Sequence, residues 1–421
     1  SSTDALGNTT TYAYDRNNRL TRKTNPLGYT ESKTYDDAGN VGTVTDGNGN
    51  VTSYSYDENG NCKTIVQTVG GQTVTCTFTY DKNGNLLTQT NGNGHTTTFT
   101  YNVADLISSK YDHGGLGVSA KTEAYLYDGN GRQISKTDRN GVTTIFSYDV
   151  HGNQTGISAP DLSVTKVYDS NGNLLTMSDS SGVTAYTYDA LNRVLTKTVS
   201  GIASLSYQYD ITEGLENGYF AEKQTDSKGN VVTKIYDKNC RIYQIKDGDA
   251  VSATYAYNAD GSLEKVIYAN GSGEYYSYYN DNTLHILTNK KSDGTIVNAY
   301  SYTYDAAGNQ ISKTETVDGV LLGTTAYVYD SANRLSNVTE PTGKITAYTY
   351  DGAGNRITET VTLGEETVTT VYSYNEQERL ISKVEESQNR TKTTTYCYDN
   401  NGNQYSSSVG WVETSDYIPS G

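Results

Sequence analysis

Alternating oxygen-bearing side chains form the pattern in this chain that comes nearest to a metal site. Asp57, Asn59 and Asn61 stand at alternate positions, and the same spacing recurs at Asp81, Asn83 and Asn85. An EF-hand calcium loop also needs a glycine at its sixth position and a bidentate glutamate at its twelfth, and both loops lack them. Hairpin turn chemistry explains the same residues. The sequence therefore predicts no metal and no cofactor.

Residues suited to catalysis are scattered rather than clustered. The acidic pairs Glu365-Glu366 and Glu385-Glu386 are sequence neighbours, whereas a glycosidase holds two carboxylates apart across a cleft. No nucleophile elbow, phosphate-binding loop or zinc-protease motif is present. The histidines are isolated in sequence and are expected on loops or the surface: His95, His113, His151 and His285. We predict no catalytic residue, and an enzyme acting on cell-wall glycan is the weakest of the alternatives.

A tyrosine-rich unit recurs along the whole chain and must position every residue named above. We call the last tyrosine of each unit its anchor. Anchors stand 20 to 27 residues apart, most often 21. After each anchor come Asp or Asn, two variable residues, and commonly Gly-Asn or Asn-Arg, a turn signal because Gly and Asn accept positive φ. The predicted structural anchors are Tyr14, Tyr35, Tyr56, Tyr80, Tyr101, Tyr127, Tyr148, Tyr168, Tyr188, Tyr209, Tyr236, Tyr257, Tyr279, Tyr304, Tyr329, Tyr350, Tyr374 and Tyr398.

Each unit reads as two strands and two turns. The half that ends at the anchor alternates, as in Thr184, Tyr186 and Tyr188, which indicates a strand with its rings on one face. The other half is a short aliphatic and threonine-rich run before a second Gly-rich turn. The sequence thus predicts an all-β array of consecutive antiparallel hairpins with about 36 short strands. An open sheet curls or splits at about 10 strands, so we expect a spiral that forms a hollow β-shell.

Composition supports one continuous body without a solid core. Hydrophobic residues make up only 34% of the chain, and 40 tyrosines stand against 4 phenylalanines. A hydroxyl-bearing ring suits a sheet with water near both faces better than a dry interior. No change of composition marks a linker, so residues 1–421 are predicted to form a single array. Because the chain opens inside a repeat, we expect it to be a segment of a longer protein.

Charge and cysteine content exclude several classes of partner and bridge. The net charge of −16 argues against nucleic acid and against an anionic membrane surface. No apolar stretch is long enough to span a bilayer, so no membrane insertion is expected. Four cysteines are scattered without a disulfide rhythm. If Gly70-Gly71 forms a two-residue turn, Cys76 lies opposite Ile65, which disfavours a bridge from Cys76 to Cys62.

The repeated segments YDENGN from Tyr56, YDKNGN from Tyr80, YDSNGN from Tyr168 and YDNNGN from Tyr398 resemble the YD-repeat or RHS-repeat family. That family includes bacterial Rhs polymorphic toxins, the C component of toxin complexes, wall-associated proteins and teneurins. The resemblance implies a β-sheet that spirals into a shell, which in the bacterial toxins encloses a carboxy-terminal effector. Those toxins self-cleave at a motif containing Asp-Pro. None of the prolines here follows Asp, so the resemblance does not carry self-cleavage to this segment.

The expected function is therefore structural and non-enzymatic. The chain is expected to be a shell segment of a secreted or surface-exposed bacterial protein that encloses or displays a carboxy-terminal effector (toxin) polypeptide, its expected partner, encoded outside this segment. The alternative is a wall-associated adhesin or fibre that binds a surface glycan through exposed tyrosine rows, because stacked rings with hydroxyls suit the faces of sugars. Regular spacing in every repeat favours the structural role for the tyrosines.

Overall fold

The computed structural model describes residues 1–114, 120–388 and 390–413. These residues form 37 strands and no helix. Within them, therefore, no helix has the length and apolarity needed to cross a membrane. The strands are β1 (Ser2–Thr3), β2 (Thr9–Tyr14), β3 (Leu20–Thr24), β4 (Thr30–Tyr35), β5 (Val41–Thr45), β6 (Val51–Tyr56), β7 (Cys62–Val69), β8 (Gln72–Tyr80), β9 (Leu86–Thr90), β10 (Thr96–Tyr101), β11 (Ile107–Asp112), β12 (Lys121–Tyr127), β13 (Gln133–Thr137), β14 (Thr143–Tyr148), β15 (Gln154–Ala159), β16 (Leu162–Tyr168), β17 (Leu174–Asp179), β18 (Gly182–Tyr188), β19 (Val194–Val199), β20 (Ala203–Ile211), β21 (Phe220–Asp226), β22 (Val231–Tyr236), β23 (Ile242–Asp247), β24 (Ala250–Tyr257), β25 (Leu263–Tyr268), β26 (Gly273–Tyr278), β27 (Leu284–Lys290), β28 (Ile296–Tyr304), β29 (Gln310–Val317), β30 (Val320–Tyr329), β31 (Leu335–Thr339), β32 (Ile345–Tyr350), β33 (Arg356–Leu363), β34 (Glu366–Tyr374), β35 (Leu380–Ser387), β36 (Arg390–Tyr398) and β37 (Gln404–Glu413).

Each strand pairs antiparallel with the next one in the chain, as β6 does with β7 and β7 with β8. The prediction of an all-β array of consecutive hairpins is confirmed. The long ribbon that results has two edges. We call the edge with the turns that follow the anchors the YD edge, and the edge with the intervening turns the opposite edge.

The pairing register confirms the prediction for the β7–β8 hairpin. Gly70 and Gly71 have φ of 57° and 81° and connect Val69 to Gln72 as a two-residue turn. Cys76 consequently pairs with Ile65, and both Cys62 and Cys76 are free thiols.

The two faces of the ribbon differ in chemistry. Many positions one residue before the anchors carry hydroxyls that bond across strands, such as Thr79 to Thr88 at 2.6 Å and Thr187 to Thr196 at 2.7 Å. Other units have an aliphatic residue there, as Val167 before Tyr168 and Ile235 before Tyr236, and the rings lie on the other face. On the two faces together, the buried apolar side chains of the described residues are few: Ala221, Ile235, Ala253 and Val266. The wall is thus one sheet thick and has no conventional core.

The ribbon winds so that its two edges meet. Asn48, in the turn between β5 and β6, donates to Asp305, in the turn between β28 and β29, 23 strands further on. Asn140, between β13 and β14, likewise donates to Asp399, between β36 and β37. At ~4.8 Å per strand a winding of 23 strands has a perimeter of about 110 Å and a width of about 35 Å. Side chains from facing walls fill only about 10 Å of that width, so the shell is hollow.

Candidate functional site

The turns on the YD edge are built around the aspartate that follows each anchor. Asp57 Oδ1 accepts the backbone N–H groups of Asn59 at 2.9 Å and Asn61 at 2.8 Å, and Oδ2 accepts the Asn61 amide at 3.0 Å. Asp81 makes the same contacts with Asn83 and Asn85. The carboxylate oxygens of Asp57 and Asp81 therefore accept hydrogen bonds within their own turns. Among the described residues, no cluster of three or more His, Cys, Asp or Glu residues could hold a metal ion.

Some turns replace the last asparagine with arginine, and this side chain joins two repeats. Arg241 forms an ion pair with Asp237 at 2.7 Å, and its guanidinium lies 4.4 Å from the ring centre of Tyr257, the next anchor. The same arrangement recurs at Arg19 over Tyr35, Arg132 over Tyr148, Arg193 over Tyr209 and Arg334 over Tyr350. Cation–π contacts of this kind contribute about 0.5–1 kcal/mol at exposed sites.

The anchor hydroxyls bond to the backbone of the neighbouring strand. The Tyr56 hydroxyl donates to the Val41 carbonyl at 3.0 Å. Val41 pairs with the preceding anchor, Tyr35, and the pairing register shifts between Thr34 and Tyr35. The acceptor carbonyl therefore lies at a β-bulge in each repeat. Anchors with this bond are Tyr35, Tyr56, Tyr80, Tyr101, Tyr127, Tyr148, Tyr168, Tyr188, Tyr209, Tyr257, Tyr329, Tyr350, Tyr374 and Tyr398.

Four predicted anchors are placed differently. In one unit the sequence position is wrong by one residue: Tyr278 ends β26 and donates to the Leu263 carbonyl at 2.9 Å, whereas Tyr279 begins the turn and donates to the Tyr302 carbonyl at 3.0 Å. Two adjacent tyrosines made the last one look like the anchor. Tyr236 donates to a side chain, that of Glu222, at 3.1 Å. Tyr14 is 56% exposed, and Tyr304 packs edge-on against Tyr279.

Where the edges of successive windings meet, polar turns form a continuous contact that we call the seam. Its bonds are mostly between asparagine amides and carboxylates. Asn48 donates to Asp305 at 2.9 Å, and Asn93 donates to Asp351 at 3.0 Å. Other seam bonds join Asn25 to Asp281, Asn333 to Asp46, Ser331 to the Thr68 carbonyl, Asn140 to Asp399 and Asn401 to Asp138.

Glycines let the backbones approach closely at the seam. A Cβ atom on Gly47 would lie 1.8 Å from the Ala306 carbonyl oxygen, and one on Gly92 would lie 2.0 Å from that of Gly352. Both distances are far below van der Waals contact, so only glycine fits. The segments TDGNGN from Thr45 and TNGNGH from Thr90 carry this extra glycine, which was the available sequence signal for the seam.

Hydrogen bonds lower the pKa of two carboxyls at the seam, those of Asp399 and Asp351. At Asp399 the Asn403 amide has the largest influence, and together with Asn140 across the seam it lowers the pKa to about 2. At Asp351 burial acts upward as the largest single influence, but the amides of Asn355 and Asn93 outweigh it and the pKa is lowered. A carboxyl whose pKa is lower in the folded than in the unfolded state stabilises the fold fully at pH values above its unfolded pKa, near 3.9. This stabilisation is lost as the pH falls towards and through the folded pKa.

We therefore expect the melting temperature of the chain to fall steeply between about pH 4 and pH 2. Thermal unfolding at a series of pH values measures this. Asp399→Asn should make that fall shallower, whereas Asp37→Asn, in a turn where Asp37 makes no hydrogen bond within the described ranges, should leave it unchanged. A melting temperature that stays constant down to pH 2 would contradict the assignment.

One of the four histidines, His95, and one member of an acidic pair, Glu385, each make a polar side-chain contact. His95 Nδ1 lies 2.7 Å from Glu378 Oε1 across the seam, a pairing that sequence separation concealed. Glu385 forms ion pairs with Lys383 at 3.4 Å and Lys392 at 3.2 Å. Neighbouring strand residues point to opposite faces, so Glu385 and Glu386 do not converge on one cleft.

These features define a class of protein, a repeat-built β-shell. The Teneurin YD-shell family model matches residues 3–160, and the RHS Repeat model matches residues 168–201 and 329–367. The two models together match residues 3–160, 168–201 and 329–367, so much of the chain is similar to RHS and YD-shell repeats. No curated protein sequence matches it.

Solved structures with the same fold come from Tc toxin complexes. The chain is similar to the TcdB2-TccC3-Cdc42 structure with a TM-score of 0.70 and 16% identity, covering 93% of this chain and 27% of that one. For TcdB2-TccC3 without its hypervariable C-terminal region the TM-score is 0.70 and the identity 15%, covering 97% of this chain and 27% of that one. For the Photorhabdus luminescens Tc holotoxin pore the TM-score is 0.68 and the identity 15%, covering 94% of this chain and 25% of that one. The chain thus spans about a quarter of the length of these proteins.

Proposed function

We propose that this chain is the wall of a shell that encloses an effector polypeptide carried by the same secreted or surface-exposed bacterial protein. The observation that carries the proposal is the seam. It joins hairpin turns that are 23 strands apart and so closes the ribbon into a tube. Closure of the ribbon separates an interior space from the solvent, which a flat ribbon of the same hairpins would not do. The tube leaves a space about 25 Å wide between opposite side chains.

The tyrosines favour this role over sugar binding by the anchors. Their hydroxyls donate to backbone carbonyls, as Tyr101 does to Leu86 at 2.8 Å and Tyr350 to Leu335 at 2.6 Å. A hydroxyl engaged in this way offers a glycan no free donor. We infer that the anchors stabilise the wall, each linking its repeat to the one before.

Protease protection in the full natural polypeptide tests the enclosure. The segment encoded beyond residue 421 should resist proteinase K in the intact protein and be digested rapidly when produced alone. Gly352→Ala, which crowds the seam, should shorten the protection, while Gly129→Ala, at the same turn position with open space around it, should not. Digestion of that segment at equal rates inside and outside the intact protein would refute enclosure.

A further inference from the structure

Most of the asparagines that donate hydrogen bonds across the seam are followed directly by glycine. These asparagines are Asn48, Asn91, Asn93, Asn140 and Asn401. Asparagine is a chemically labile residue. It deamidates most readily before glycine, because glycine has no Cβ atom to hinder attack by its main-chain nitrogen. The contacts that close the ribbon are therefore made by reactive side chains.

The Asn140 amide is held by the facing winding at both of its polar atoms. Its Nδ2 donates to Asp399 Oδ2 at 3.0 Å, and its Oδ1 accepts the Asn400 N–H at 3.0 Å. The nitrogen that would attack is also engaged, since the Gly141 N–H donates to the Asp138 carbonyl at 3.0 Å. Deamidation requires that this nitrogen be released and that the amide carbon approach it. Asn140 therefore reacts only when its turn leaves the seam.

Asn130 lies in a turn of the same kind that has no contact across the seam. Residues 128–131 read Asp-Gly-Asn-Gly, and residues 138–141 read Asp-Arg-Asn-Gly. In each turn the aspartate carboxylate accepts the asparagine N–H at 2.9 Å, and the φ of the last glycine is 78° in one and 83° in the other. Within the described residues, the Asn130 side chain makes no hydrogen bond. The two turns thus differ in their seam contact and share their conformation.

We propose that the seam asparagines are sites of spontaneous deamidation, and that the reaction converts a reversible opening of the seam into a permanent one. The glycine main-chain nitrogen attacks the side-chain amide carbon of the asparagine. A C–N bond forms, the bond to Nδ2 breaks, and ammonia leaves with the proton of the attacking nitrogen. Water then opens the cyclic imide to aspartate or isoaspartate, so no enzyme or oxidant is needed.

The product cannot rejoin the seam as asparagine does. The Asn93 amide nitrogen donates to Asp351 at 3.0 Å and to Glu378 at 3.3 Å. A carboxylate at this position loses both bonds and adds a third negative charge beside Asp351 and Glu378. Within the described residues, His95 is the one basic side chain paired with either of them. Like charges at such distances repel, so the edges stay apart whether or not the shell holds a polypeptide.

Ageing of the folded chain at mildly alkaline pH, followed by tryptic peptide mass spectrometry, tests the reaction. Trypsin cuts after Arg132 and Arg139, so Asn130 and Asn140 fall in different peptides. Asn140 should deamidate at least about tenfold more slowly than Asn130, because its seam bonds add to the free energy of opening. In urea the two rates should be similar. Equal rates in the folded chain would overturn the proposal.

Gly352→Ala tests whether opening of the seam controls the reaction. An added Cβ atom would lie 3.2 Å from Asn93 Oδ1 and would separate the two windings there. The substitution should raise the deamidation rate of Asn93 towards that of Asn130 and leave the rate at Asn130 unchanged. If Asn93 reacted no faster in this variant, the seam would not protect it and the proposal would fail.

Asn93→Asp reproduces the reaction product. It should lower the melting temperature and speed hydrogen exchange in residues 351–355, and added salt should reduce both effects because they come from charge repulsion. Asn93→Ala loses the same donated bonds without adding charge, so its defect should not respond to salt. Asn130→Asp should behave like the parent protein. An Asn93→Asp chain as stable as the parent at low salt, or one with a defect that salt does not change, would contradict the permanent opening.

Discussion

Gly352→Ala is expected to destabilise the closed shell by about 1–3 kcal/mol, the range for overpacking a tight contact. A Cβ atom there would lie 2.3 Å from the Gly92 carbonyl oxygen and 3.2 Å from Asn93 Oδ1. The backbones of the two windings must separate to admit it, and the Asn93 bonds to Asp351 and to the Ala353 N–H are then lost. Hydrogen exchange should show faster exchange at both turns.

Gly129 provides the matched control, because it also directly follows the aspartate of its turn but has no atom within 4 Å of the position that an added methyl group would take. Gly129→Ala should change stability by no more than about 0.5 kcal/mol. Equal effects of the two substitutions would show that the turn conformation, rather than the seam, is what the methyl group disturbs.

Tyr257→Ala is expected to cost about 3 kcal/mol, the lower end for loss of a large aromatic ring, because Tyr257 is only partly buried. The substitution removes the hydroxyl bond to the Ile242 carbonyl at 2.8 Å and the ring beneath Arg241. Tyr257 ends β24, the strand that contains the buried Ala253, and β24 pairs with β25, which contains the buried Val266. Urea unfolding measures the loss, and hydrogen exchange should locate it in β23–β25, since repeats depend on their neighbours.

Two comparisons divide this effect into its parts. Tyr257→Phe retains the ring and should lose only about 1 kcal/mol for the hydrogen bond. Tyr14→Ala changes an anchor that is 56% exposed and should be nearly neutral. If Tyr14→Ala were as damaging as Tyr257→Ala, the anchors would not act through the contacts described above.

The sequence predicted the strands well because each hairpin is determined locally. Alternation assigned the rings to one face, and turn residues such as Gly60 and Gly84, with φ of 83° and 87°, marked where the chain reverses. The β7–β8 register followed from the Gly70-Gly71 turn alone. The adjacent pair Tyr278-Tyr279 misled the assignment because both residues fit the local pattern.

The winding could not be predicted in this way. The number of strands per winding depends on the twist accumulated over all of them, and small differences at each bulge add up. Contacts such as that of His95 with Glu378 arise only after the ribbon has closed on itself.

The distance between Val51 and Ile311 tests the winding most directly. These residues are 48% and 37% exposed and follow the two turns joined by Asn48 and Asp305. Spin labels on Val51→Cys and Ile311→Cys, with the four native cysteines replaced by serine, allow the distance to be measured by pulsed electron resonance. A wound shell predicts a narrow distribution below about 30 Å, since the labels flank one seam contact, whereas 23 strands laid side by side separate them by about 110 Å. A distribution centred beyond about 60 Å, more than half of that open separation, would contradict the closed shell.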